Sequence, residues 1–278
     1  MLYGFMTTAA LTAAAVGAGP STTNPAAAVR ADSAGPEHVT IVATDYAFQA
    51  PDSIRAGLVD LRLVNDGRQA HQAWLLRLDD GKTMQDFLDA TRFEPWMVDV
   101  GGPNAVGPGS RASATLILSP GNYVVICLML DPKGRSHLAL GMKRALRVVG
   151  PAPAVAEGLP AADDTVRLTN YSFLIAHPLA AGRHRLLVRN EADQPHELTL
   201  VRLAPGKGPF DFARWSEKQA DPPAGQWLGG VTGLSPGREA EAEVDLRPGH
   251  YAFLCFLPDA TDGKPHFEHG MVSAFTVR

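Results

Sequence analysis

The chain repeats itself, and this repetition constrains its fold more than any other feature. Residues 44–78, TDYAFQAPDSIRAGLVDLRLVNDGRQAHQAWLLRL, align without a gap with residues 169–203, TNYSFLIAHPLAAGRHRLLVRNEADQPHELTLVRL. Further on, 107–130 aligns with 234–258, and SHLALGM (136–142) aligns with PHFEHGM (265–271). A repeat this long indicates two homologous domains in a chain of 278 residues. We predict one domain over residues 37–150 and a second over 164–278, joined by a Pro/Ala-rich linker at 151–163.

Each repeat shows the periodicity of β-strands. Segments such as TVRLTNYSF, ELTLVRL and EAEVDLR alternate or run apolar, and Gly, Pro, Asn or Asp bounds them. About seven such strands per repeat are typical of an antiparallel sandwich. One helical insert is expected in each repeat, around residues 83–92 and 208–220. The predicted fold class is therefore all-β, with two tandem Greek-key β-sandwiches that each carry a short helix.

The N-terminal segment is apolar and carries no charge before Arg30. Residues 5–18 resemble the apolar region of a secretory signal, with V-G-A at 16–18 as the cleavage site, although the usual Lys or Arg before it is missing. An uncleaved membrane anchor and a wrongly assigned start codon are the alternatives. We predict a signal peptide or N-terminal anchor at residues 1–20, a linker at 21–36, and a protein exported to the periplasm or secreted.

Charge excludes one class of partner. The net charge is −4, and no run of Lys or Arg is present in the sequence. Such a chain lacks the basic patch that nucleic-acid binding requires, so we expect no nucleic-acid partner.

The repeat also pairs side chains that can bind a soft metal. Each half carries a histidine six residues after an asparagine, a cysteine in a G-x-Y-x-[VF]-x-C segment, a second histidine, and a methionine five residues after it. Taken singly, such residues usually only pack or face solvent. Retention of the whole set in two diverged halves favours a shared role instead. The candidates are His71, Cys127, His137 and Met142 in the first half, and His196, Cys255, His266 and Met271 in the second.

The ordered set resembles the cupredoxin (plastocyanin/azurin) family over both halves. The resemblance implies one copper ion per half at most, held by the two histidines and the cysteine, with the methionine as axial ligand. A thiolate and two imidazoles suit both oxidation states of copper. Because Cys127 and Cys255 occupy equivalent places in separate domains, we expect no disulfide between them.

The spacing of the ligands departs from the family pattern. Nine residues separate Cys127 from His137, and ten separate Cys255 from His266, whereas about two to four are usual in cupredoxins. Lengthening a flexible loop this much costs only about 1 kcal/mol of closure entropy, which is small against metal binding of order 10 kcal/mol. The spacing is therefore compatible with bound copper, and it is also compatible with a protein that binds no copper.

The sequence lacks the additional ligands of copper enzymes. The H-x-H pairs of a trinuclear copper cluster are missing, and neither cysteine is flanked by a histidine. We therefore predict that the chain is not an enzyme.

Two functions remain. One is an exported tandem cupredoxin that transfers electrons or holds copper, with a redox partner protein. The other is a copper-free scaffold that docks on the periplasmic face of a membrane electron-transfer complex, respiratory or photosynthetic, with a possible membrane tether through the N-terminus.

Overall fold

Alternation of apolar and polar residues builds the strands as the sequence predicts. In EHVTIVAT (37–44), for example, Val39, Ile41 and Ala43 are buried, while the residues between them are at least partly exposed. The computed structural model describes residues 35–152, 158–219 and 222–278. The predicted signal peptide or anchor, and parts of both predicted linkers, lie outside the described residues.

The first half contains nine strands and one helix, where the sequence indicated about seven strands. In chain order they are β1 (Glu37–Thr44), β2 (Ala47–Gln49), β3 (Ser53–Arg55), β4 (Gly57–Asn65), β5 (Trp74–Leu78), α1 (Met84–Asp89), β6 (Met97–Gly101), β7 (Arg111–Leu118), β8 (Gly121–Ile126) and β9 (Lys143–Val149).

The second half contains eight strands and one helix among its described residues. They are β10 (Asp164–Thr169), β11 (Ser172–Ile175), β12 (Gly182–Asn190), β13 (His196–Leu203), α2 (Pro209–Lys218), β14 (Gly225–Leu234), β15 (Glu239–Leu246), β16 (Gly249–Leu254) and β17 (Val272–Val277). The predicted all-β class is confirmed.

The strands form two sheets, and both sheets run through the two halves. One sheet has the order β11-β10-β12-β15-β7-β4-β1-β2, and the other has the order β17-β16-β13-β14-β6-β5-β8-β9-β3. Most neighbours are antiparallel, but β1–β4, β10–β12 and β3–β9 are parallel. Residues 35–278 accordingly form one compact unit.

Two strand pairings join the halves, and the isolated bridges Pro103–Val231 and Val106–Leu228 add to them. Strand β7 pairs with β15 through three residue pairs, with Ala114 opposite Ala242, and β6 meets β14 at Val100 and Leu234. Small and aliphatic side chains suit these positions because the strands meet edge to edge inside the protein. The boundaries predicted for the two sequence domains stay a prediction, since the structure shows shared sheets rather than separate bodies.

Both predicted helical inserts are present but shorter than predicted. Helix α1 begins after Thr83, whose hydroxyl accepts from the backbone N–H of Asp86, and it ends before Ala90, which is extended. Helix α2 begins with Pro209 and ends with Lys218, and the residue that follows, Gln219, has a left-handed backbone (φ 48°). The side chain of Gln219 donates to the carbonyl of Leu130, which fixes the end of α2 against the first half.

Candidate metal centres

The fold brings three of the four candidate ligands together in each half. We call His71, Cys127 and His137 centre 1, and His196, Cys255 and His266 centre 2. In both centres the three donor atoms lie within 4.8 Å of one another, and all six side chains are buried. The first histidine lies just before β5 or at the start of β13, and the cysteine directly follows β8 or β16. The cysteines are free, as expected.

The donor atoms are the same in both centres. In centre 1, Sγ of Cys127 lies 3.9 Å from Nδ1 of His71 and 3.4 Å from Nδ1 of His137, and the two nitrogens are 3.1 Å apart. In centre 2 the corresponding distances are 3.9, 3.3 and 2.9 Å. The second half thus reproduces the triangle of the first to within a few tenths of an ångström.

The size of each triangle fits a transition-metal ion. A point equidistant from the three atoms lies about 2.0 Å from each of them in both centres. Imidazole nitrogens bind such ions at about 2.0–2.1 Å, and thiolate sulfur binds at about 2.3 Å for zinc. One thiolate with two imidazoles is the donor set that copper prefers for electron transfer. The two centres therefore support copper binding.

Hydrogen bonds on the far side of each ring fix its tautomer. In centre 1, Nε2 of His71 lies 2.9 Å from a carboxylate oxygen of Asp45, and Nε2 of His137 lies 3.2 Å from Oε1 of Gln69. Because these oxygens only accept, each Nε2 carries the hydrogen and each Nδ1 keeps a free lone pair that faces the sulfur.

Centre 2 repeats this arrangement with one change. Nε2 of His196 lies 3.3 Å from Oδ1 of Asn170, and Nε2 of His266 lies 3.2 Å from Oε1 of Gln194. Asn170 occupies the position of Asp45, so a neutral amide replaces a carboxylate. Two lone pairs that converge within about 3 Å repel each other unless a cation lies between them, which is a further sign of a metal site.

Burial keeps the imidazoles neutral. It lowers the pKa of His137 and of His196 to about 4, with repulsion from the neighbouring histidine as the second cause. Burial also lowers the pKa of His71 and of His266. Neutral imidazole is the form that binds metal, so all four rings are ready to bind at neutral pH.

Burial has the opposite effect on the thiols. It raises the pKa of Cys127 to about 12 and that of Cys255 well above its ordinary value. Both side chains are therefore protonated in the metal-free protein at neutral pH. A metal ion must displace this proton, because the thiolate is the ligand.

The methionines lie next to the centres through their backbone. The N–H of Met142 donates to the carbonyl of His137, and its carbonyl accepts from Cys127. Met271 makes the same two bonds with His266 and Cys255, and both methionine side chains are fully buried. Their assignment as axial ligands stays a prediction, as does the ligand role of the other six residues.

The long segment between cysteine and histidine closes on itself. In the first half, the N–H of His137 donates to the carbonyl of Met129, and Leu130 pairs with Ser136. In the second half, the N–H of His266 donates to Leu257, and Pro258 pairs with Pro265. The extra residues thus form a small hairpin beyond the ligands, which explains how a spacing of nine or ten residues leaves cysteine and histidine in contact.

Several residues around the centres did not emerge from the sequence. Gln69 and Gln194 are identical at aligned positions, as are Tyr46 and Tyr171, and this identity was a usable signal. Glu197 gave no such signal, because the residue aligned with it in the first half is Gln72. The carboxyl group of Glu197 is buried, which raises its pKa to about 7, and the N–H of Glu197 donates to Sγ of Cys255.

Comparison with known proteins gives matches to solved structures alone. No family model matches the chain, and no curated protein matches it. Reduced auracyanin from Roseiflexus castenholzii is 19% identical and covers 42% of this chain and 100% of its own, with a TM-score of 0.27. The copper nitrite reductase of Nitrosomonas europaea is 16% identical over 87% of this chain and 93% of its own, with a TM-score of 0.25. The blue copper oxidase of the same organism is 14% identical over 88% and 86%, with a TM-score of 0.27.

These matches are consistent with a tandem cupredoxin-like chain and correct one prediction. The structures that match over most of the chain are copper nitrite reductases and multicopper oxidases, which are enzymes. The prediction that excluded an enzyme is therefore wrong. At such low identities and TM-scores the matches assign no reaction, and the functional argument rests on the geometry of the two centres.

The described part of the chain contains no helix that is both long enough and apolar enough to cross a membrane. The proposed N-terminal tether lies outside the described residues.

Proposed function

We propose that the chain is an exported protein that binds one copper ion at each centre and transfers electrons. The observation that supports this most strongly is the triangle of two Nδ1 atoms and one Sγ atom, which occurs in both halves with nearly the same dimensions. Copper in such a donor set supplies reversible one-electron transfer.

The surrounding residues hold the donors in place. Asp45 and Gln69 fix the two rings of centre 1, while Asn170 and Gln194 fix those of centre 2. The cysteines directly follow central strands, and the side chains exclude water because they are fully buried. A rigid, dry site changes little when its charge changes, and small rearrangement favours fast electron transfer.

The proposal includes a partner and a location. An electron carrier needs a donor and an acceptor, which we propose to be a redox partner protein or a membrane electron-transfer complex. We propose a periplasmic or secreted location. Fractionation of source cells with an antibody against residues 35–278 tests the location, and recovery in the cytoplasmic fraction contradicts it.

The experiment that tests the copper function is a titration of metal-free protein with Cu(II). We expect two equivalents to bind with strong visible absorption from thiolate-to-copper charge transfer, and one equivalent to bind to Cys127→Ser or to Cys255→Ser. Ascorbate should bleach the colour and reoxidation should restore it without loss of copper. The exposed His250 provides the control, since His250→Ala should change nothing.

A protein that stays colourless, with a metal content that neither serine variant alters, contradicts the proposal. The copper-free scaffold then becomes the better explanation.

A further inference from the structure

One segment of the first half contacts the surroundings of both metal centres. We call residues 102–107, which follow β6 in the chain, the inter-centre segment. Its Val106 exchanges two backbone hydrogen bonds with His71, a candidate ligand of centre 1. Two residues earlier, the side chain of Asn104 reaches Glu197, which directly follows the first histidine of centre 2. The segment therefore lies beside both centres.

Strand β14 of the second half holds the inter-centre segment in place. The N–H of Asn104 donates to the carbonyl of Gly230, and the carbonyl of Ala105 accepts from the N–H of Gly229. These bonds fix the backbone from which the Asn104 side chain projects into the second half.

The surroundings of the Asn104 amide determine its orientation. The residue is 1% exposed, and its Oδ1 accepts from the N–H of Ala105 at 2.7 Å. Its Nδ2 lies 3.0–3.2 Å from four acceptor atoms, which are Oε2 of Glu197, Oγ1 of Thr199 and the carbonyl oxygens of Leu198 and Val231. A flipped amide would place its oxygen against these acceptors, so the NH2 group must face Glu197.

Glu197 connects this amide to the cysteine of centre 2. Its Oε1 accepts from the N–H of Phe256, the residue after Cys255, at 3.0 Å, and its own N–H donates to Sγ of Cys255 at 3.4 Å. A buried carboxyl group that loses a partner is costly, so removal of the Asn104 amide favours a rearrangement of Glu197 away from Phe256. The position of Cys255 thus depends on a side chain of the first half.

The aligned residues make a different contact near centre 1. Gln72 aligns with Glu197, and Thr232 aligns with Asn104. The hydroxyl of Thr232 donates to the carbonyl of Gly102 at 3.3 Å. Among the described residues, the bond between Asn104 and Glu197 therefore has no equivalent at centre 1, which makes centre 1 an internal control.

We propose that Asn104 is a positioning residue of centre 2, so that the first half completes the metal site of the second. The amide holds the Glu197 carboxyl group against the N–H of Phe256, and this keeps Cys255 where the two imidazoles converge. Groups just outside the ligands commonly change metal affinity by about 10–100-fold. The inference rests on the proposed copper function for its metal, whereas the hydrogen bonds from Asn104 to Cys255 do not depend on copper.

The first test compares the effect of Asn104→Ala on the two centres by Cu(II) titration. A Cys127→Ser background leaves centre 2 alone, and a Cys255→Ser background leaves centre 1 alone. We expect the copper affinity of centre 2 to fall by about 10–100-fold and that of centre 1 to stay unchanged. The charge-transfer absorption of centre 2 should also lose intensity, because a displaced sulfur overlaps less with copper. Asn122→Ala, which removes an amide bonded to the carbonyl of Lys82, is the matched control and should affect neither centre.

The second test uses metal-free protein and follows hydrogen exchange of single N–H groups by NMR. In Asn104→Ala the N–H of Phe256 should exchange about tenfold faster than in the wild-type protein, which corresponds to the loss of about one hydrogen bond. The N–H of Cys127, which donates to the carbonyl of Met142 at centre 1, should exchange at its wild-type rate. Asn104→Thr introduces the residue found at the aligned position and should act on centre 2 in the same way, so the comparison stands even if the alanine variant fails to fold.

Equal losses of copper affinity at both centres overturn the inference, because they indicate a general loss of structure. Unchanged exchange at Phe256 overturns it as well, whatever the copper titration shows. A Cys127→Ser protein that binds no copper refutes the proposed function at centre 2. Faster exchange at Phe256 in the variants then still supports the positioning role of Asn104.

Discussion

Replacement of Asn65 by alanine tests how the fold positions the first histidine of centre 1. The side-chain amide of Asn65 donates to the carbonyls of Gln69 and Val106 at 2.8 Å each, and its oxygen accepts from the N–H of Gly67 at 2.9 Å. The carbonyl of Val106 also accepts from the N–H of His71. Asn65 therefore connects the segment that precedes His71 to the segment that carries Val106.

Loss of three hydrogen bonds at about 1 kcal/mol each predicts a decrease of about 3 kcal/mol in the free energy of unfolding. We expect copper affinity at centre 1, measured in a Cys255→Ser background, to fall at least tenfold. The assay is urea unfolding followed by circular dichroism, together with copper titration. Asn122→Ala is the matched control, since its amide makes a single bond to the carbonyl of Lys82 and should cost about 1 kcal/mol.

The equivalent residue in the second half provides an internal check. Asn190 donates to the carbonyls of Gln194 and Leu234 and accepts from the N–H of Ala192. Asn190→Ala should therefore cost about as much as Asn65→Ala and should affect centre 2. If Asn65→Ala costs no more than Asn122→Ala, the asparagine does not support the site and our reasoning is wrong.

Two further predictions concern charge. Asp45→Asn removes a negative charge beside His71 and should raise the reduction potential of copper in centre 1 by roughly 60 mV. Asn170→Asp adds a charge at the equivalent position and should lower the potential of centre 2. Redox titrations of single-site variants measure both potentials, and shifts of the opposite sign contradict the assignment. Burial raises the pKa of Asp99 to about 6, so the folded state holds this proton more tightly than the unfolded state, and stability falls as the pH rises from about 4 through about 6. The asparagine in Asp99→Asn cannot ionise, so the decrease in the free energy of unfolding between pH 4 and pH 8 should be smaller in this variant by up to about 3 kcal/mol. Urea unfolding at the two pH values measures the decrease. A variant that loses as much stability as the wild-type protein contradicts the prediction.

The internal repeat made much of the candidate site accessible from sequence. Alignment of Cys127 with Cys255, and of the histidines around them, identified the residues that the fold brings together. Gln69 and Gln194 could have been found in the same way. Asp45 and Asn170 could not, because they differ in charge and act through a ring nitrogen that only the structure reveals.

No local pattern in the sequence indicates that the two halves share their sheets. Alternation along β7 and β15 predicts two strands, but it does not say that Ala114 and Ala242 will lie opposite each other. Edge pairing depends on which strands remain unpaired after each half has folded.

X-ray absorption at the copper edge tests the central claim most directly. We predict that protein loaded with two equivalents of copper shows, for each ion, two imidazole nitrogens at about 2.0 Å and one sulfur at a short distance of about 2.3 Å. Cys127→Ser and Cys255→Ser should each bind one equivalent of copper, and that ion should keep its short sulfur contact. Copper surrounded by nitrogen and oxygen alone, with no short sulfur contact in the wild-type protein, contradicts the account.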